Sequence, residues 1–197
     1  MDALAAGVAI LERSVSYALG SLALVTPPLL VRPTPCSRWD LRDLLHHLSD
    51  SMAALQEAAS LGSVSATPPP DADAVIPETR ARAVRLLGAW ANGPCAPTVR
   101  VATASRAAPL TALPTAPLTA PVIAGAGAIE VAAHGWDVAQ ACGARRPIPD
   151  DLADELLDLA VILIRPPDRA GRFSHALPVA SDAAAGERLL AFLGRVS

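Results

Sequence analysis

The stretch Glu130-Val-Ala-Ala-His134-Gly-Trp-Asp137 has the clearest capacity for chemistry in this chain. On a helix, residues four apart project from one face about a turn from each other, so Glu130 and His134 can offer a carboxylate and an imidazole to one metal ion. Asp137 lies three residues beyond His134 on the same side. It can hydrogen-bond a ligand imidazole and fix its tautomer, or cap structure near Trp136. Upstream, Gly125 and Gly127 lower helix propensity but clear space beside Glu130 for a ligand or a closely packed neighbour. A lone E-x-x-x-H is more often an ordinary helix pair than a metal site, so a third ligand is required. An earlier segment offers His46 and His47, which flank an apolar stripe on opposite sides; His47 borders the core more closely through Leu44 and Ser51. Helical geometry alone leaves that choice open.

Positioning such ligands requires long helices, and the composition favours them. The chain has 197 residues, enough for one domain spanning 1–197 and too few for two comfortable ones. Hydrophobic residues make up 52% and aromatics only 3%, a mixture that suits close-packed helices better than a β-sandwich. The net charge is −3 with no long basic run, which sets nucleic acid aside as a partner. All sixteen basic residues are arginine, which excludes Schiff-base chemistry on a lysine. Cys36, Cys95 and Cys142 are odd in number and widely spaced, so neither a disulfide framework nor a zinc knuckle is indicated. No secretory leader and no uninterrupted apolar run of membrane-spanning length is present, so a soluble, cytoplasmic protein is expected.

Six helical segments are expected. Leu4, Val8, Leu11, Val15, Leu19 and Leu22 mark an amphipathic helix over 2–25, stopped by Pro27-Pro28. Ser37 or Asp40 can cap a second helix, 40–61, whose stripe is Leu41, Leu44, Leu45, Leu48, Met52 and Leu55. A third runs over 77–91 and the central one over 122–142, ending at Gly143. A fifth begins at Asp150-Asp151, and Ser181 or Asp182 caps a short last helix. The segment 95–121 carries five prolines; Thr98–Thr103 has β character, and the rest reads as an ordered loop over the site that sets specificity.

Three blocks carry a family resemblance. They are Pro33-Thr-Pro-Cys-Ser-Arg-Trp-Asp-Leu-Arg-Asp-Leu-Leu-His-His47; Glu130-x-x-x-His134-Gly-Trp-Asp-Val-Ala-x-x-x-Gly143; and Gly171-Arg-Phe173 with Asp182-Ala and Arg188-Leu-Leu-Ala-Phe-Leu-Gly-Arg195. Together they resemble the DinB-like superfamily, in the branch of the mycothiol-dependent maleylpyruvate isomerase metal-binding domain. The resemblance covers nearly the whole chain and is weakest from Gly62 to Ala120. It implies an all-α four-helix bundle with long connections, here with extra short C-terminal helices. It also implies His47, Glu130 and His134 as the metal ligands, which settles the choice between His46 and His47. His46 is then a solvated residue or, like Asp137, one that contacts a ligand or substrate.

Two imidazoles and one carboxylate give an ion three protein ligands and leave positions open, the composition of a catalytic zinc site; nickel or another first-row ion fits the same donors. Such an ion can hold a cysteinyl thiolate at neutral pH. The resemblance makes mycothiol the expected thiol and a small electrophile the expected substrate, in transfer or isomerisation. A thiol-independent Lewis-acid enzyme acting in specialised metabolism, as cyclase, isomerase or hydrolase, is the alternative reading. A noncatalytic metal- or ligand-binding module is another. Trp39, Trp136 and Cys36 are expected as packing residues, and His175 as a surface residue. Arg42, Arg80 and Arg82 are candidates to grip a cofactor carboxylate, and the leucine-rich helix faces suit a monomer core or a homodimer.

Overall fold

The computed structural model describes residues 3–36, 39–64, 74–92, 97–101, 118–169, 173–180 and 182–196. Helix α1 (Ala3–Leu22) is followed by a 3-10 turn at Pro27–Leu29, and α2 (Leu41–Leu61) by the two-residue strand β1 (Ser63–Val64). Then come α3 (Val75–Asn92), β2 (Thr98–Val101), β3 (Leu118–Thr119) and α4 (Ala120–Ala141). Helix α5 (Asp150–Leu163), a 3-10 turn at Pro166–Arg169 and α6 (Ala185–Phe192) complete the order. The architecture is all-α and DinB-like. Helix α4 packs on α1, α2 and α5, and α2 packs on α3.

The physical reason for α4's central place is its composition. Seventeen of its 22 residues are buried, spread around the whole circumference, so it has no solvent face to expose. Close approach is bought with glycine. A Cβ on Gly127 would come within 2.5 Å of Leu55 on α2, and one on Gly135 within 3.0 Å of the Ala18 backbone on α1. The expected space beside Glu130 is therefore filled by a packed neighbour. Helix α1 is long and apolar enough to cross a membrane by length and composition alone. Its buried side, including Leu11, Val15, Ala18 and Leu22, belongs to the core.

Several boundaries differ from the sequence reading. Helix α1 stops at Leu22, before the prolines, which instead form the 3-10 turn. Asp40 does cap α2, with Asp43 returning the bond in a capping box, and Gly62 closes the helix with φ +61°. Ser37 lies outside the described residues, as do Cys95, residues 102–117 of the expected loop, Gly171, Arg172 and Ser181. The β character at 98–101 is present as β2. It pairs parallel to β1 and antiparallel to β3, two strands too short to give a period in the sequence. Helix α6 begins after Ala184 with no side-chain cap, so Asp182 does not serve as one.

Candidate metal centre

Helices α2 and α4 converge on Glu130. His47 sits on α2 and its Nε2 lies 2.7 Å from Glu130 Oε1. His134, one turn along α4, places its own Nε2 at 3.3 Å from the same oxygen. The two imidazoles meet edge to face, with centroids 5.0 Å apart. Ser51, one turn beyond His47, donates its hydroxyl to Oε1 at 3.2 Å and helps to orient the carboxylate. The three potential ligand atoms all fall within 4.8 Å of one another. Two metal–ligand bonds of about 2.1 Å at a tetrahedral angle separate their ligand atoms by about 3.4 Å, so the Glu130–His134 spacing already suits an ion and the His47 contact needs only a small opening.

Behind this cluster lies a second layer. Asp137 is completely buried, and its Oδ2 stands 2.9 Å from His134 Nδ1. An N–H on Nδ1 donating to that carboxylate leaves Nε2 free as a ligand, the arrangement that fixes a metal-binding tautomer. Arg195 donates to both oxygens of Asp137, at 2.9 and 2.7 Å. The Cys36 thiol donates to Oδ2 at 3.4 Å and lies 3.9 Å from His134 Nδ1. Cys36, His134 and Asp137 are themselves close enough to bind an ion. Arg195, however, occupies both carboxylate oxygens, and its charge opposes a second cation there.

The electrostatics describe two buried carboxylates held ionised by the groups beside them. Burial alone would raise the Glu130 carboxyl, but the charge of His134 and hydrogen bonds from His134 and His47 hold it well below its ordinary value. Burial would lower His134, yet the Glu130 charge and hydrogen bonds to Asp137, Cys36 and Glu130 hold it well above. Asp137 is also raised by burial, and the hydrogen bond from His134 with the charge of Arg195 outweighs this and brings it to about 2. Two carboxylates against one guanidinium leave the cluster at −1 before any imidazole protonates. A divalent cation held there would leave the centre at +1, a net positive charge that can hold an anionic ligand.

A turn preceding α2 covers the site. The Thr34 hydroxyl lies within hydrogen-bond reach of the Cys36 and Trp39 carbonyls, at 3.1 and 2.9 Å, and thereby holds both residues over α4. The Trp39 ring rests 4.5 Å from that of His47 and 6.2 Å from that of His134. Trp39 is thus a wall of the site as well as a packing residue.

The mycothiol maleylpyruvate isomerase N-terminal domain model matches residues 11–139. The chain belongs to that family. The matched span contains His47, Glu130, His134 and Asp137, and it ends before α5 and α6. Two proteins of Mycobacterium tuberculosis, uncharacterized protein MT0763 of strain CDC 1551 and uncharacterized protein Rv0738 of the ATCC 25618 strain, are similar as well. Each is 29% identical over 176 residues, covering 88% of this chain and 89% of its relative. No solved structure matches the chain.

The remaining candidates differ in their surroundings. His46 is half-buried on α2 and belongs to neither potential ligand cluster among the described residues. Arg80 is engaged with the Leu22 and Val25 carbonyls, closing the end of α1, and Arg82 pairs with Glu78. Arg42 and His175 are exposed, and Trp136 is in the core. Sequence reasoning missed Ser51, Arg195 and the polar contact of Cys36. Ser51 follows His47 by one helical turn, a spacing that was visible; Arg195 is 58 residues from Asp137, and no local pattern points to it.

Proposed function

We propose that this protein is a metal-dependent enzyme that uses a low-molecular-weight thiol, mycothiol, in S-transfer to an electrophilic small molecule or in its isomerisation. The reading is carried by one observation: two imidazoles and a carboxylate from α2 and α4 face one point. Family membership supports the thiol and the isomerase chemistry as the reading. Free Cys36 and Cys142 suit a reducing cytoplasm, where such a thiol persists.

His47, Glu130 and His134 would hold the ion, with zinc favoured by the donor set. When bound, it would supply Lewis acidity and keep a cysteinyl thiol ionised at neutral pH. The protein's own residues then have distinct tasks. Asp137 keeps the proton of His134 on Nδ1, Ser51 fixes Glu130 Oε1, and Trp39 excludes water from the side of the two rings. In transfer, the thiol sulfur bonds to an electrophilic carbon of an activated double bond as its π bond breaks, and that electron pair takes up the proton the thiol gives up. In isomerisation the adduct turns about the resulting single bond before the carbon–sulfur bond breaks, so the double bond re-forms in the other geometry and the thiol takes its proton back.

Elemental analysis of the purified protein beside a His47→Ala variant tests the metal. The wild type is expected to hold close to one ion per chain and the variant much less; equal contents would remove α2 from the site. Calorimetry of the zinc-loaded protein with mycothiol tests the thiol. Absence of binding would overturn that part and leave the metal assignment standing.

A further inference from the structure

The buried carboxylate behind His134 is gripped from the far end of the chain. Arg195 engages Asp137 side-on, Nε to Oδ1 and Nη2 to Oδ2, and only 12% of its side chain is exposed. Because Oδ2 also faces His134 Nδ1, guanidinium, carboxylate and imidazole form one connected row. The row ends at Nε2, the ring atom facing Glu130.

Arg195 reaches this place through the way α6 ends. Gly194 adopts φ +79°, its N–H donates to the Ala191 carbonyl, and the Arg195 N–H donates to the Leu190 carbonyl. These are the paired bonds of a Schellman motif, which turns the chain sharply after a helix. A Cβ at position 194 would lie 2.7 Å from Ser174 Cβ and 2.9 Å from the Ser174 carbonyl oxygen, so the hook demands glycine on steric and conformational grounds. Leu189, Leu190 and Leu193 anchor α6 in the core, and Arg188 adds a surface pair to Asp154 of α5. A single bond would neutralise Asp137 but let its carboxylate turn. Two parallel bonds from a planar fork fix the carboxylate plane, and with it the oxygen presented to Nδ1.

We propose that Arg195 is a positioning residue of the metal centre. Acting through Asp137, it sets the orientation of the His134 ring, so the C-terminal hook completes a site whose ligands all lie within residues 11–139. The inference rests on the metal reading above and extends it to a segment outside the matched span.

The test is zinc affinity of the full-length protein by competition with a chromophoric chelator, together with visible absorption of the cobalt-loaded form. The variants are Arg195→Met, Arg195→Lys and, as a control, Arg188→Met. Arg195→Met is expected to bind zinc about 10-fold to 100-fold more weakly, the usual effect of losing an outer hydrogen-bonding partner, with an altered cobalt band. Lysine should recover only part, since it restores charge without the fork. Arg188→Met loosens α6 without touching Asp137 and should bind as the wild type does. Unchanged affinity and an unchanged cobalt band in both Arg195 variants would overturn the inference, and so would an equal loss in Arg188→Met, which would assign the effect to docking of α6. Should Arg195→Met fail to fold, wild-type affinity in Arg195→Lys is by itself decisive against the fork. A wild type that binds no zinc instead defeats the metal reading, a separable result.

Discussion

Tyr17 is the sole tyrosine of the chain and lies buried on α1, its hydroxyl donating to the Arg146 carbonyl at 2.7 Å. Burial raises its pKa, and the opposing charge of Arg146 does not cancel the effect, so it is pushed up to about 12. The sign follows directly. An acid whose folded pKa is raised contributes stability that is complete below its unfolded value, about 10, and is lost as pH rises through the folded one. Phenolate absorbance should therefore titrate near pH 12 in the folded protein and near 10 in denaturant. In Tyr17→Phe, stability should fall less steeply across that window than in the wild type; parallel curves would show that the phenol is not the group responsible. The same distinction between local and remote contacts governs what could be read from the sequence. Glu130, His134 and Asp137 share one helical face, so their grouping follows from spacing. His47 required the family resemblance, because periodicity places His46 and His47 almost alike. Cys36 and Arg195 meet Asp137 only through tertiary packing, and no spacing rule relates positions so far apart.

The separation of the helices is set by glycines with different constraints. On α4, a Cβ at Gly135 would press on Ala18 at 3.0 Å from Cα and 3.1 Å from Cβ, forcing α1 and α4 apart. At Gly125 the nearest neighbour is Leu159 Cδ1 at 3.5 Å, ordinary contact. Alanine gains about 1 kcal/mol of helix propensity at either position. At Gly135 an overpacking cost of about 1–3 kcal/mol opposes it. Gly125→Ala should thus stabilise, and Gly135→Ala should be neutral to destabilising by up to about 2 kcal/mol, measured as shifts in the denaturant midpoint at unchanged slope. The reverse order would mean that α1 yields to α4 more easily than backbone contact allows. At the start of α2, Asp40→Ala should cost about 1 kcal/mol through loss of the cap. Long helices were legible because apolar stripes and caps repeat over several turns. Strands β1 and β3, of two residues each, are defined by pairing partners instead of by any pattern of their own. The start of α6 was misplaced for a related reason: Asp182 has the right chemistry for a cap, yet the helix begins three residues later without one.

Bundle assembly and ion binding should be coupled, because Glu130 and His134 share α4 whereas His47 comes from α2. An ion held by all three can exist only where the two helices are packed together, so it favours the folded chain by mass action. Free zinc at 100 times its dissociation constant would stabilise by about 2.7 kcal/mol. For a protein of this length that corresponds to a rise in melting temperature of roughly 5–11 °C. A chelator should reverse it. In His47→Ala, the pair on α4 is already brought together by one helical turn, so whatever ion it still holds reports little on the contact between α2 and α4 and should raise the melting temperature far less. Thermal melts of both proteins with zinc and with chelator distinguish the cases. A rise of the same size in the variant would mean that α4 alone retains the ion, and that the packing of α2 against it contributes nothing to the centre.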